Sequence, residues 1–271
     1  MAYAPVAPQV GPLLRDWRKR RRLSQLDLAL EAGVSARHVS FIETGRSTPS
    51  PEMLLRLAGK LDVPPRERNE LLIAAGYAPR YGALAYEAPE MDPVRRAIDR
   101  LLAAHDPYPA VVVDRHWELI AANQGIGLLT EGVAPELLEP PVNALRLALH
   151  PDGVARRILN LAEWRGHLLE RLERQARLTG DPALHTLLRE LRAYPGGESH
   201  DPRDHDVFVP LRLAGPDGTE LSFLSTVATF GTAVDVTATE LSIESFFPTD
   251  ATTATILPAG RGARHRVELP V

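Results

Sequence analysis

Between residues 10 and 75 the apolar positions fall into short runs at helical spacing, and each run begins or ends at a residue that starts or stops a helix. Leu13, Leu14 and Trp17 form one stripe after Pro12, and Leu26, Leu28, Ala29 and Ala32 form a second after Ser24. Val39 and Ile42 follow Ser35. Met53, Leu54, Leu57 and Leu61 follow Ser50-Pro51, and Leu71, Leu72 and Ile73 follow Pro65. A serine hydroxyl just ahead of a helix accepts from the free amides of its first turn. Proline suits the first helical position, and Gly33 can take the positive φ that ends a helix. The pattern predicts five short helices in one compact bundle, with the second and third joined at Gly33-Val34-Ser35.

After Gly76 the texture changes to YAPRYGALAYEAPEMDP, a linker over residues 77–92 with enough proline to be partly ordered. A helix over 93–104 follows, with Val94, Ile98, Leu101 and Leu102 on one face. The period then drops to two. Residues 110–113 and 117–122 flank a polar Asp114-Arg115-His116 turn, a hairpin signal, and Asn123 leads into AANQGIGLLTE, which can turn into a helix. Residues 143–193 are helical, with Leu161, Trp164, Leu168 and Leu172 at helical spacing. Asp181-Pro182 then caps a helix carrying Leu184, Leu187, Leu188 and Leu191. Strand texture returns at 207–214, 221–230 and 240–247, with a Gly215-Pro216-Asp217-Gly218 turn. On the middle strand Leu221, Phe223 and Val227 face one way and Leu224, Ala228 and Phe230 the other, so both faces need cover. Helices would supply one side, and a partner subunit or the helical bundle the other. The expected class is α+β: an all-α head over 1–76, then an antiparallel sheet of about five strands over 93–255 with helices inserted after the second strand, and a tail over 256–271.

Composition fits this division. A chain of 271 residues with 44% hydrophobic and 24% charged residues can bury two cores. Cysteine is absent, which excludes a disulfide framework, a thiolate zinc site and a cysteine nucleophile, and suits a reducing cytosol. The opening MAYAPVAPQVGP has no cationic start followed by an apolar stretch, and no apolar run reaches eighteen residues. The chain therefore reads as soluble and cytoplasmic, without a membrane partner. The formal charge of −4 hides an asymmetry. Residues 1–80 carry 13 basic against 8 acidic side chains, net +5, and the remainder 18 against 27, net −9. The positive charge of the head is concentrated at Arg15, Arg18, Lys19, Arg20, Arg21 and Arg22, which would raise the local potential toward phosphate, or simply form a solvated helix face.

The string SQLDLALEAGVSARHVSFIETGRSTPS resembles the helix-turn-helix of the XRE family, the lambda repressor and Cro type of regulator. The resemblance implies a lambda-repressor-like bundle that binds double-stranded DNA, with the helix starting at Ser35 in the major groove. By position it puts Gln25 against backbone phosphate, Ser35, Ala36, Arg37, Ser40 and Phe41 toward the groove, and Thr44 and Arg46 on the loop that grips the far strand. Arg18 and Arg20 would meet phosphate. Arg37 is the expected base reader, since a guanidinium can donate two hydrogen bonds to guanine. Ala36 and Phe41 depart from the polar residues common there, which leaves thymine-methyl contact or shape as further means of reading.

The string LSFLSTVATFGTAVDVTATELSIESFFPTDATT, with NALRLALHPDG upstream, resembles the MmyB-like ligand-binding domain attached to such heads. It implies a PAS-like fold over about 93–255 and regulation by a small, largely apolar molecule such as a fatty acid. Candidate anchors are Asn123, Arg146, His150, Arg157 and Trp164, near segment ends, with Phe223 on a strand. Arg146 or Arg157 would pair with a carboxylate. Each has the alternative of an ordinary surface or core polar role.

No serine elbow, phosphate-cradling loop or zinc-protease helix occurs, so neither catalysis nor a bound cofactor is expected. HDPRDHD at 200–206 invites a metal reading but suits a solvated loop better, so no metal site is expected, and GRGARHRVELPV at the end is basic and peripheral. Two functions remain: a ligand-modulated DNA-binding regulator, or a regulator whose second domain is a filled dimerisation or interaction module. A homodimer is expected in both, because paired heads read paired half-sites.

Overall fold

The computed structural model describes residues 10–197, 199, 207–215, 218–231, 233 and 235–256. The chain forms two compact units that meet in sequence between Leu84 and Ala85. The metal-suggestive run at 200–206, the Pro216-Asp217 step and the basic tail lie outside the described residues.

The first unit is built of α1 (Val10–Arg20), α2 (Gln25–Ala32), α3 (Ala36–Glu43), α4 (Pro51–Lys60) and α5 (Pro65–Ala74). The caps are those expected from sequence. Ser24, Ser35 and Ser50 accept from the amides of Asp27, His38 and Met53, and the Asp27 carboxylate returns a bond to the Ser24 amide. Gly33 ends α2 at φ 65°. The core gathers Leu14, Trp17, Leu28, Val39, Ile42 and Leu54 with the inward residues of α4 and α5. Two expected core residues are on the surface instead. Leu26 is 57% and Ile73 58% exposed, because each lies off the inward stripe of an amphipathic helix whose neighbours already fill the interior. Past α5 the chain is strapped down by buried Asn69. Its Oδ1 accepts from the amides of Arg80 and Tyr81, and its Nδ2 donates to the Tyr81 carbonyl.

The second unit opens with α6 (Asp92–His105), followed by β1 (Ala110–Val113), β2 (Leu119–Ala122), α7 (Ile126–Thr130), α8 (Ala144–Leu149), α9 (Leu161–Thr179) and α10 (Pro182–Ala193). After these come β3 (Leu211–Ala214), β4 (Glu220–Thr229), α11 (Val236–Glu240), β5 (Ser242–Pro248) and α12 (Ala251–Ile256). The five strands pair antiparallel in the order β2-β1-β5-β4-β3. One face carries Val111, Val113, Leu211, Leu221, Phe223 and Phe246, packed with the inward residues of α7 to α10. On the opposite face, where the sequence suggested a partner or the bundle, the unit's own opening helix covers the β1 and β5 part, while Thr226 and Ala228 of β4 stay exposed. Ala110, Val112 and Ile243 are covered by Ile98 and Leu102 of α6. Leu101, expected on that face, is 51% exposed because the stripe runs along every fourth residue through Val94, Ile98 and Leu102. β3 starts at Leu211 rather than 207, and β5 at Ser242 rather than 240, since Glu240 ends α11.

Candidate nucleic-acid interface and ligand cavity

Glu43 organises the head. Its side chain is fully buried at the end of α3, yet it has neighbours from two other helices. Arg18 donates from Nε to Oε1 at 2.6 Å and from Nη2 to Oε2 at 2.8 Å, and its Nη1 donates to the Leu23 carbonyl at 2.7 Å. Gln25 donates from Nε2 to Oε2 at 2.8 Å, and Arg15 lies 3.7 Å from the same oxygen. Burial opposes the charge on Glu43. The hydrogen bonds from Arg18 and Gln25, with the charges of Arg18 and Arg15, outweigh it and hold the carboxyl below its ordinary range. A buried carboxylate persists only when paired and hydrogen-bonded in this way. Gly11 completes the junction, since a Cβ there would stand 2.6 Å from the Ile42 carbonyl oxygen and 2.7 Å from that of Glu43.

This corrects two expectations. Arg18 is turned away from phosphate: its side chain is 11% exposed and its guanidinium donates to Glu43 and Leu23, so it is a fastener between α1 and α3. Gln25 is also drawn inward by Glu43 through its amide nitrogen. The basic run therefore has mixed duties. Arg21 donates to the carbonyls of Leu61 and Asp62, whereas Lys19, Arg20 and Arg22 are exposed, with the Arg20 guanidinium 4.8 Å from the Trp17 ring centroid.

The fastening leaves the other side of α3 outward. Val39, Ile42 and Glu43 point in, while Ser35, Arg37 and Thr44 are exposed and Ala36, Ser40 and Phe41 partly so. The Ser35 hydroxyl oxygen accepts from the His38 amide and the Thr44 hydroxyl donates to the Ser40 carbonyl at 2.7 Å. The amides of Arg46 and Ser47 return to the Phe41 carbonyl, folding the loop onto the end of α3. Arg37 and Arg46 consequently lie over one ring, 5.1 and 5.9 Å from the Phe41 centroid. The aromatic face holds both guanidinium groups. Among the described residues neither is engaged in a hydrogen bond or ion pair, so their donors remain available to base edges and phosphate.

The second unit holds a partly open cavity of about 230 Å³. Its walls come from β1, β2, α7, α8, α9, β3 and β5, and include Val111, Leu119, Ile126, Leu145, Trp164 and Phe246. Trp164 is the one proposed anchor on this wall; the others are held elsewhere. Asn123 is buried as a brace, accepting from the Ala110 amide and donating to the carbonyls of Tyr108 and Leu102. Arg146 forms a two-pronged ion pair with Glu190 on α10. His150 accepts from the Asp152 amide and meets the edge of Tyr194. Arg157 donates to the carbonyls of Ala214, Leu128 and Glu131, and Phe223 is fully buried in the core without bordering the space. The physical reason is common to the polar four. Each stands near the end of a helix or strand, with a carbonyl, an amide or a carboxylate closer than the cavity.

The residue that sequence reasoning missed is Glu244 on β5. It borders the cavity, and its side chain is 9% exposed. Arg171 of α9 donates to its Oε2 at 3.3 Å, and the Arg171 guanidinium also lies 4.5 Å from the Trp117 centroid. The Trp117 indole N–H is taken by Gln175 at 2.8 Å. The available signal was an acid inside a strand, LSIESFF, that is apolar on both faces.

A head that turns one helix outward and a body that holds an apolar space define a helix-turn-helix regulator with a ligand-binding domain. Two family profiles match this division: the MmyB-like transcription regulator ligand binding domain over residues 94–259 and the helix-turn-helix over 14–68. The chain belongs to the MmyB-like transcription regulators. It is 37% identical over 81 residues to an uncharacterized HTH-type transcriptional regulator, RghRB, of Bacillus subtilis, a match covering 30% of this chain and 56% of that one. It is 40% identical over 50 residues to the ImmF control region 10 kDa protein of Bacillus phage phi105, covering 18% of this chain and 56% of that one. The chain thus spans about half the length of the curated relatives it matches. Among solved structures, the restriction-modification controller protein C.AhdI of Aeromonas hydrophila is 36% identical, over 26% of this chain and 98% of that one, with a TM-score of 0.22. No described helix is long and apolar enough to cross a membrane. No group of three or more metal-ligating side chains gathers among the described residues.

Proposed function

We propose that this chain is a homodimeric DNA-binding regulator whose affinity for its operator is set by a small, largely apolar ligand held in the second unit. The carrying observation is the partly open cavity of about 230 Å³ with almost wholly apolar walls. It is about half again the ~150 Å³ of an engineered cavity that stays dry and takes up benzene. A medium-length alkyl chain is of that scale, and a fatty acid is one member of the class. A filled interaction module, the competing reading, has no use for such a space. The DNA side rests on the outward face of α3, where Arg37 and Arg46 present unengaged donors over Phe41.

The test joins the two ends. An operator is selected from random duplexes with the purified full chain, and native mass spectrometry identifies any co-purifying small molecule. The ligand should change operator affinity by about 5–150-fold, the usual range of coupling between two sites. Ala148→Leu, which adds bulk at the cavity wall, should abolish that response and leave ligand-free DNA binding intact. A ligand that binds without altering operator affinity sinks the coupling.

A further inference from the structure

We propose that two copies of this chain join through the open edge of β4, residues 225–229, so that their sheets continue into one another across a two-fold axis at Val227. The inference rests on the homodimer of the functional reading and gives it a surface.

β3 covers only the first part of β4. Leu211, Arg212, Leu213 and Ala214 pair with Phe223, Ser222, Leu221 and Glu220, and β4 then runs on to Thr229 with β5 alone beside it among the described residues. Pro210, just ahead of Leu211, has no amide with which to extend that ladder, and residues 207–210 are not strand. Alternation decides which backbone groups this leaves. Ser222 faces the β5 side, where its carbonyl accepts from the Thr249 amide and its own amide donates to the Thr253 hydroxyl. Leu224, Thr226 and Ala228 therefore face β5, and Ser225, Val227 and Thr229 turn their amides and carbonyls to the open side. The phase of β5 agrees: Phe246 donates to the Pro109 carbonyl on the β1 side, which leaves Ser245 and Phe247 for β4.

This edge carries none of the devices that keep strands apart. Residues 221–234 hold no charged side chain, no proline stands within β4, and its pairing with β5 runs without a bulge from Phe223 to Thr229. Thr226, Val227, Ala228 and Thr229 are exposed, Val227 at 45%. Such an edge is a template for another strand. The lack of charge favours a second copy over the strand of a different protein. Antiparallel pairing about a two-fold axis sets Val227 against its own twin and Ser225 against Thr229, so a charge near the axis would meet its like. Small and β-branched neutral side chains meet their twins without that penalty. A foreign strand imposes no such restriction. Joined bodies also supply the two heads that paired half-sites require.

Sedimentation of the full chain across a concentration series tests this. Wild type should sediment as two chains. Val227→Lys sets like charges across the axis and should weaken the dimer at least about 100-fold, as like-charge juxtaposition at an interface does. Val227→Glu should do the same, and mixing the two variants should restore a dimer with one chain of each. Hydrogen exchange on wild type needs no variant and decides the matter if these do not fold: the Val227 and Thr229 amides should be slowed where the dimer forms and exchange freely on dilution. A wild-type dimer that keeps these amides fast, or that survives Val227→Lys and is broken instead by Ile73→Lys on the exposed side of α5, overturns the interface and leaves the homodimer standing. Folded variants that do not pair on mixing overturn the axis at Val227. A chain that stays single, both free and on its selected operator, removes the homodimer and this proposal together.

Discussion

Arg18 and Arg20 look alike in the run RKRRR, yet the structure gives them different work. Arg18 lies one turn after Leu14 and beside Trp17, so helical phase carries it inward to Glu43. Arg20, on another face, remains exposed. Arg18→Ala leaves a buried carboxylate without its main partner and should cost about 3 kcal/mol of unfolding free energy in a urea titration. Arg37→Ala should leave stability within about 0.5 kcal/mol, while cutting the preference for cognate over random duplex by about tenfold, the loss of one bidentate base contact. Equal losses on both duplexes in an anisotropy titration would remove Arg37 as a base reader. Acid supplies a further check on Glu43. Its folded-state pKa is depressed, so its contribution is fully present above the ordinary glutamate value of about 4.3 and is lost as pH falls through the lower folded value. The stability difference between wild type and Glu43→Gln should therefore be constant near neutrality and shrink below about pH 4.3. A difference that grows on acidification would reverse the assignment.

Elements were the most legible level. Helices α2 to α5 of the head announce themselves by a capping serine or a proline, because capping is a local interaction between a hydroxyl and amides three residues away. The leucines of α10 are buried as their spacing requires. What the pattern does not carry is how closely two elements approach. Gly11 reads as a glycine near a helix start, but it is the point where α1 meets the carbonyls ending α3. Gly11→Ala should push α1 off α3 and lower the melting temperature, at a cost of about 1–3 kcal/mol. Since α3 is then less firmly held, operator affinity should fall in the same variant. A Gly11→Ala protein as stable as wild type would show that the junction yields. Similarly, α11 went unread in the sequence because five residues are too few for a helical period to appear.

For the whole molecule, the basic head and acidic body have a consequence for binding. Phosphate contacts release counterions, so operator affinity should fall steeply between 50 and 200 mM salt, and Arg20→Ala should flatten that slope while weakening cognate and random duplexes alike. Unchanged slopes would mean that the exposed charges of the head do not touch the backbone.

What the sequence determined by itself was what depends on near neighbours in the chain: the five helices of the head, three of them capped by serine, the hairpin of β1 and β2, the leucine stripes of α9 and α10, and the candidate reading face of α3. Those signals are periodicities and caps, complete within a few residues. Tertiary structure alone decided which polar groups do what. It turned Arg18, Asn123, Arg146 and Arg157 to partners 5 to 57 residues away, and placed Glu244 between Arg171 and an apolar space. A charged side chain takes its role from the oxygen or nitrogen that lies nearest once the chain has folded, and that distance is not written in the order of residues.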